Sequence, residues 1–221
     1  MKAPQANFTQ RTLVPEGNHL AICYEMIEIG TVEEDYMGQP KILPKVRVAW
    51  ELPHETIEID GVDKPLAIAN EYTFSMGEKA TLRKHLESWR GKKFTQDEAD
   101  NFDIDKLLGV PCLLNVTHKE SRNGKIYEVI QAITPLTKGM VAPKMHNAKN
   151  ILSYDTFDIN KFNALPDFIK TKMMSSVEYK EMFGKVDTNT PTESNPAVDS
   201  LKKAFDGISI EQAIVNDDLP F

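Results

Sequence analysis

A mainly β chain with one internal helix and a helical C-terminal addition is the fold class this sequence predicts, and three observations predict it. Apolar residues recur with period two in several stretches of residues 17–136, the spacing of strands with one buried face. The period changes to helical spacing between residues 76 and 94. Past residue 184 the chain turns polar and rich in Pro, Thr, Asn and Ser, a composition that buries too little apolar surface to order itself.

The first strand is "GNHLAICYEMIEIGTVEE" (17–34), where a turn signal precedes Leu20, Ile22, Tyr24 and Met26 on one face. In "KILPKVRVAWELP" (41–53) Val46, Val48, Trp50 and Leu52 share the apolar face, while Lys45, Arg47, Ala49 and Glu51 share the other. That is the pattern of a half-buried strand. "ETIEIDGVDKPLAIANEYTFSM" (55–76) supplies third-strand material around an Asp60–Gly61 turn. "MGEKATLRKHLESWRGKKF" (76–94) then places Ala80, Leu82, Leu86 and Trp89 at helical spacing and stops at Gly91. "TQDEADNFDIDKLLG" (95–109) reads as a short second helix. Thr95 is its N-cap, Glu98 completes a capping box, and Gly109 ends it. "VPCLLNVTHKESRNGKIYEVIQAITPL" (110–136) is two apolar runs joined by a hairpin that Asn123–Gly124 signals.

The order β-β-β-α-β-β is that of a five-stranded OB-fold barrel. The expected organisation is an N-terminal arm (1–16), an OB-fold domain (17–139), a helical extension (140–184), and a flexible linker with a disordered acidic tail (185–221). The extension reads as irregular over 140–159 and helical from Pro166, with Ser176 capping a second piece. Phe168, Ile169 and Met173 are expected to pack on the barrel.

The 221 residues include 26 basic and 33 acidic side chains, a net of −7, and 41% are hydrophobic. This suits one medium domain with appendages. No run approaches the ~20 apolar residues of a membrane span, and the N-terminus lacks an apolar secretory segment. A cytoplasmic location is therefore expected. Cys23 and Cys112 each lie in a strand-like apolar run and read as buried free thiols. Residues 185–221 carry 3 basic and 7 acidic side chains, more than half of the net charge.

Signatures of catalysis are missing. The sequence has no GxxxxGK[ST], no GxGxxG after a strand, and no GxSxG, HExxH or CxxC. Its five histidines are scattered without metal-ligand spacing, and the acids of "DNFDID" (100–105) read as solvated or as helix caps. A non-enzymatic protein with no cofactor and no metal is expected.

Basic and aromatic residues instead gather on the sheet. Lys41, Lys45 and Arg47 lie on or beside the second strand, and Lys119, Arg122 and Lys125 on the last hairpin. Tyr36, Tyr72 and Tyr127 sit among them as stacking candidates, whereas Trp50 and Phe74 are assigned to the core. A single strand of nucleic acid needs cations for its phosphates and flat rings for its bases. A second basic cluster, "RKHLESWRGKK" (83–93), reads as a solvated helix face.

The chain closes on "NDDLPF", which resembles the C-terminal tip of bacterial single-stranded DNA-binding proteins. Asp217, Asp218, Pro220 and Phe221 match that tip, and Leu219 replaces its more usual isoleucine. The body, from "LRKHLESWRGKKFTQDEADNFDIDKLLGVPCLLNV" through "NGKIYEVIQAITPL" to "SVEYKEMF", is similar to a group of bacteriophage proteins regarded as OB-fold single-stranded DNA binders. The resemblance implies a phage protein of DNA replication or recombination that protects single-stranded DNA. It also implies that the tip recruits helicases, primases, polymerases, nucleases or recombination mediators. The alternative is a scaffold whose tip imitates the host protein's tail to capture or block host repair enzymes. A nuclease is the least favoured reading. Oligomeric state is left open, a homo-oligomer included.

Overall fold

The two longest strands pair over most of β1 and the first part of β2, and set the shape of everything else. A computed structural model of the chain describes residues 12–36, 38–142 and 144–184, and of Tyr36 the backbone only. Strands β1 (Gly17–Tyr36) and β2 (Gln39–Ile59) have 20 and 21 residues and pair antiparallel. At about 3.3 Å per residue they would each reach well beyond a small core if straight. They bend at bulges instead, two in the β1–β2 ladder, between Cys23 and Glu25 and between Glu28 and Gly30, and one between Leu52 and Thr56 where β2 meets β3 (Val62–Thr73). Gly30 takes a φ of 91° at the second bend, and a Cβ there would come within 2.8 Å of the Ser176 side chain.

The bulges also correct the expected face of β1. Each inserts one residue and so flips the alternation. Ala21 and Cys23 face the main core, then Met26, while Ile27, Ile29 and Val32 enter a second core on the other side. Tyr24 is half-buried. The Asp60–Gly61 turn has φ of 53° and 75° at its two central residues, as a two-residue hairpin requires. It joins β2 to β3, so residues 55–59 belong to β2.

Three helical pieces follow. Helix α1 (Thr81–Arg90) begins later than the spacing predicts, with Ala80 as its N-cap, and buries Leu82, Leu86 and Trp89. It ends at Gly91, whose φ of 68° lets the cap close on Glu87 and Ser88. Arg83 is also buried, contrary to the solvated face expected for its cluster. Its guanidinium donates to Glu87, to the Met76 and Phe94 carbonyls and to Gln96, which offsets desolvation. Helix α2 (Gln96–Asp100) carries the capping box of Thr95 and Glu98. The Thr95 N–H and Arg90 hold the Glu98 carboxyl down to about 2. Asp103 caps a 3₁₀ turn over Ile104–Leu107.

Strands β4 (Pro111–Glu120) and β5 (Ile126–Thr134) form the last hairpin. The sheet order is β3-β2-β1-β4-β5, with a short sixth strand, β6 (Asn150–Leu152), pairing parallel to β1. Among the described residues β3 and β5 are not hydrogen-bonded to each other, so the sheet is open along that seam. The chain is mainly β, with an open sheet and several helices. Among the described residues there are six strands rather than five, the addition being β6, which lies in a stretch the sequence reads as irregular. Cys23 and Cys112 are buried free thiols.

Residues 144–184 lie across the outer face of β1 and β2 as a strap. Helix α3 (Ile159–Asn163), α4 (Asp167–Ser175, beginning after Pro166) and α5 (Val177–Phe183, capped by Ser176) supply Phe162, Ile169, Met173 and Tyr179 to the second core. Carboxylates of the sheet then grip the strap. Glu51, with no exposed surface, accepts from the His146 and Asn147 backbone N–H groups and from Asn147 Nδ2, each at 2.7 Å. Glu25 accepts from Asn150, and Glu28 from the Tyr154 N–H. In the opposite sense, Glu178 of the strap accepts from the Thr31 N–H and hydroxyl, both at 2.6 Å. The face of β2 that the sequence marks as polar is thus covered.

Candidate nucleic-acid interface

The β4–β5 turn is tied by its own backbone. Ser121 N–H donates to the Lys125 carbonyl at 2.9 Å, Gly124 N–H to the Ser121 carbonyl at 3.0 Å, and Lys125 N–H to Ser121 Oγ at 3.1 Å. Gly124, at a φ of 77°, supplies the left-handed residue. Asn123–Gly124 does mark the hairpin, although the loop spans five residues rather than two. From this tip Lys119, Arg122 and Lys125 are exposed, and none has an ion-pair partner among the described residues. Lys119 stands opposite Tyr127 in the ladder, so an ammonium and a half-buried ring share one face.

The hairpin leads into a groove of 1050 Å³ along the open seam. One wall is the edge of β3 at Asn70–Thr73, the other is β5 at Val129–Gln131, and the segment Ser75–Thr81 before α1 closes one side. Lys119 lines it together with Lys79 and Lys45. Lys79 is exposed and has no ion-pair partner among the described residues. Sequence reasoning passed over Lys79, because a lysine just ahead of a helix reads as an ordinary solvated residue. Glu71 and Glu78 also line the groove, so its field is mixed in sign.

Other expected contacts are differently placed. Lys45 pairs with Glu34, which also accepts from Lys172 at 2.7 Å, and Lys172 in turn reaches Glu71 at 2.5 Å. Burial alone would raise the Glu34 pKa and lower that of Lys172. Their mutual hydrogen bonds outweigh burial, so Glu34 is held below and Lys172 above its ordinary value. Lys45 is therefore committed to a network that holds α4. Arg47 lies under α4 with its guanidinium 5.6 Å from the Phe168 ring centre. Phe168 is exposed, while Ile169 and Met173 are buried as expected.

Tyr72 is a correction. Only 3% exposed, it offers no ring face to a base. Its hydroxyl bonds His85 Nδ1 at 2.9 Å, and burial pushes the phenol pKa up and the His85 pKa down. Trp50 is core, tilted against Trp89 at 6.0 Å between ring centres. Phe74, assigned to the core, is 37% exposed, because it follows the last residue of β3 and the strand's alternation no longer governs it. Lys41 is exposed beside the β1–β2 hairpin. The side chain of Tyr36 lies outside the described residues. So do Asp217, Asp218, Leu219, Pro220 and Phe221.

Among the described residues no cluster of three or more His, Cys, Asp or Glu is placed to hold a metal, and no helix is long and apolar enough to cross a membrane. No family model, curated protein or solved structure matches the chain.

Proposed function

We propose that this chain is a non-enzymatic single-stranded DNA-binding protein, of a phage or related replicon, acting in replication or recombination. The observation that carries the reading is the run of uncommitted cations from the β4–β5 tip through Lys119 to Lys79, with Tyr127 beside it and an open groove beneath. Cations would take the phosphates, and Tyr127 and Tyr36 would stack with bases in any sequence. A further support is strand order. The path β3-β2-β1-β4-β5 becomes the five-stranded Greek-key order of an OB fold when β3 and β5 approach, and in that fold the last hairpin borders the oligonucleotide. We read the body as such a barrel, left open at its seam.

The test is binding of oligo-dT against a duplex of equal length over a salt series. Tight binding of the single strand at low salt, weakening as salt rises and exceeding that of the duplex, is expected. Equal binding of the two, or none at low salt, removes the proposal.

The tip carries the second half of the reading. Phe221 would fill an apolar pocket on a replication or recombination enzyme, while its carboxylate, Asp217 and Asp218 meet basic residues at the rim. Burying one phenylalanine contributes roughly 1.5–3 kcal/mol of the about 8 kcal/mol that a micromolar contact requires, so the charge pairs at the rim supply much of the rest and the contact is expected to weaken with salt. Deleting residues 216–221 should leave oligo-dT affinity unchanged or higher and abolish partner capture. A loss of DNA affinity on deletion would contradict the role given to the tip.

A further inference from the structure

Two hairpin tips carry aliphatic side chains that nothing covers among the described residues. At the β2–β3 tip Ile59 and Val62 face each other in the ladder and are 42% and 54% exposed. At the β4–β5 tip Ile126 is 54% exposed. The charges of the two tips are opposite. Between Thr56 and Pro65 stand Glu58, Asp60 and Asp63 against Lys64, a net of −2. Between Lys119 and Lys125 stand Lys119, Arg122 and Lys125 against Glu120, a net of +2.

The acidic tip also contains an arrangement that costs stability by itself. Glu58 and Asp63 are direct partners in the ladder, and like charges so placed destabilise a hairpin. Among the described residues no cation bonds either carboxylate. Both tips project beyond the paired first half of β1. β4 continues past the Gly17–Val116 pair, and β2 past the Ile22–Glu51 pair. Past those pairs β1 reaches β2 through His19 and Glu55 at 3.0 Å, and the segment before β1 reaches β4 at His118; the tips beyond these ties present their apolar and charged groups outward.

We propose that the β2–β3 hairpin of one copy docks on the β4–β5 hairpin of a second copy of this chain. Ile59 and Val62 meet Ile126, and Lys119, Arg122 and Lys125 neutralise the Glu58–Asp63 pair. Equal and opposite charge selects a second copy as the occupant, because each copy supplies both halves of the contact. The contact is small, so the association is weak, concentration-dependent and screened by salt. The basic hairpin is also the one assigned to single-stranded DNA, so a polynucleotide and a second copy compete for it. The test accordingly runs without nucleic acid and does not depend on that assignment.

Sedimentation of the full chain over a concentration series, at low and high salt, measures the association. Wild type should associate as concentration rises and dissociate in high salt. The pair of reversals Glu58→Lys and Asp63→Lys makes both tips basic, and Lys119→Glu with Lys125→Glu makes both acidic. Each variant alone should associate about tenfold more weakly, or less. Mixing the two variants should restore association, since both tips of one are now net positive and both tips of the other net negative. Thermal unfolding of each variant shows that it is folded before mixing. A wild type that remains a monomer throughout overturns the proposal. So does association that survives both reversals, or a mixture of folded variants that fails to associate.

Discussion

Replacing Lys119, Arg122 and Lys125 together by alanine flattens the salt dependence of oligo-dT binding by about two units of log–log slope. Each phosphate contact on a single strand contributes about 0.7 to that slope through counterion release, so three lost contacts account for the change. The three side chains are exposed and have no ion-pair partner among the described residues, so their loss exposes no buried charge and leaves the fold in place. Lys45→Ala serves as the contrast. That ammonium is bound to Glu34 inside the network with Lys172 and Glu71, so its removal should change stability more than slope. A triple variant with the wild-type slope would move the DNA path away from this hairpin. Tyr127→Ala should weaken binding by about 1–3 kcal/mol with little change of slope, the signature of stacking rather than charge.

The largest stability effect is expected at Glu51. Its carboxylate is fully buried and accepts three hydrogen bonds from the strap. In Glu51→Ala the His146 and Asn147 N–H groups lose their acceptor. Losing the acceptor of these part-buried donors, together with the space left by a fully buried side chain, is expected to cost about 2–5 kcal/mol in a urea unfolding series. Glu51→Gln keeps the shape but presents an NH₂ toward donors, and should fall between wild type and alanine. Hydrogen exchange in the alanine variant should quicken first around residues 146–152, where the strap leaves the latch and pairs with β1. An alanine variant within about 0.5 kcal/mol of wild type, the range of an ordinary surface change, would show that the second core alone holds the strap.

Glu51 also shows where reading the sequence stops. Alternation placed Lys45, Arg47, Ala49 and Glu51 on one face of β2, and they do share a face. Whether that face meets water is not a property of β2. Its cover is supplied by residues some 95 positions later, and the groups that bind Glu51 include backbone N–H donors, which every residue but proline possesses. No side-chain pattern announces such a partner. The same holds for Arg83, whose polar character suggested solvent but whose donors meet the Met76 and Phe94 carbonyls. The bulges in β1 are a third case. They leave a sequence that looks like one alternating strand, yet they turn Ala21 and Cys23 into one core and Ile27 and Ile29 into the other.

What the sequence determined by itself was local. The capping box of Thr95 and Glu98, the left-handed stop at Gly91, the Asp60–Gly61 turn, the start of α4 after Pro166 and the Ser176 cap each depend on atoms within about four residues. The exposed cations of the last hairpin belong here too, since a tight turn projects its side chains into solvent wherever the hairpin is attached. Only the tertiary structure decided which face of β2 is covered, that Tyr72 is sealed against His85, that Lys45 is bound to Glu34, and that Lys79 and Lys119 line one groove. Those outcomes depend on contacts between distant segments. Burial and ion pairing are sums over whatever the fold brings near, and a residue's own neighbours in the chain carry too little of that sum to reveal it.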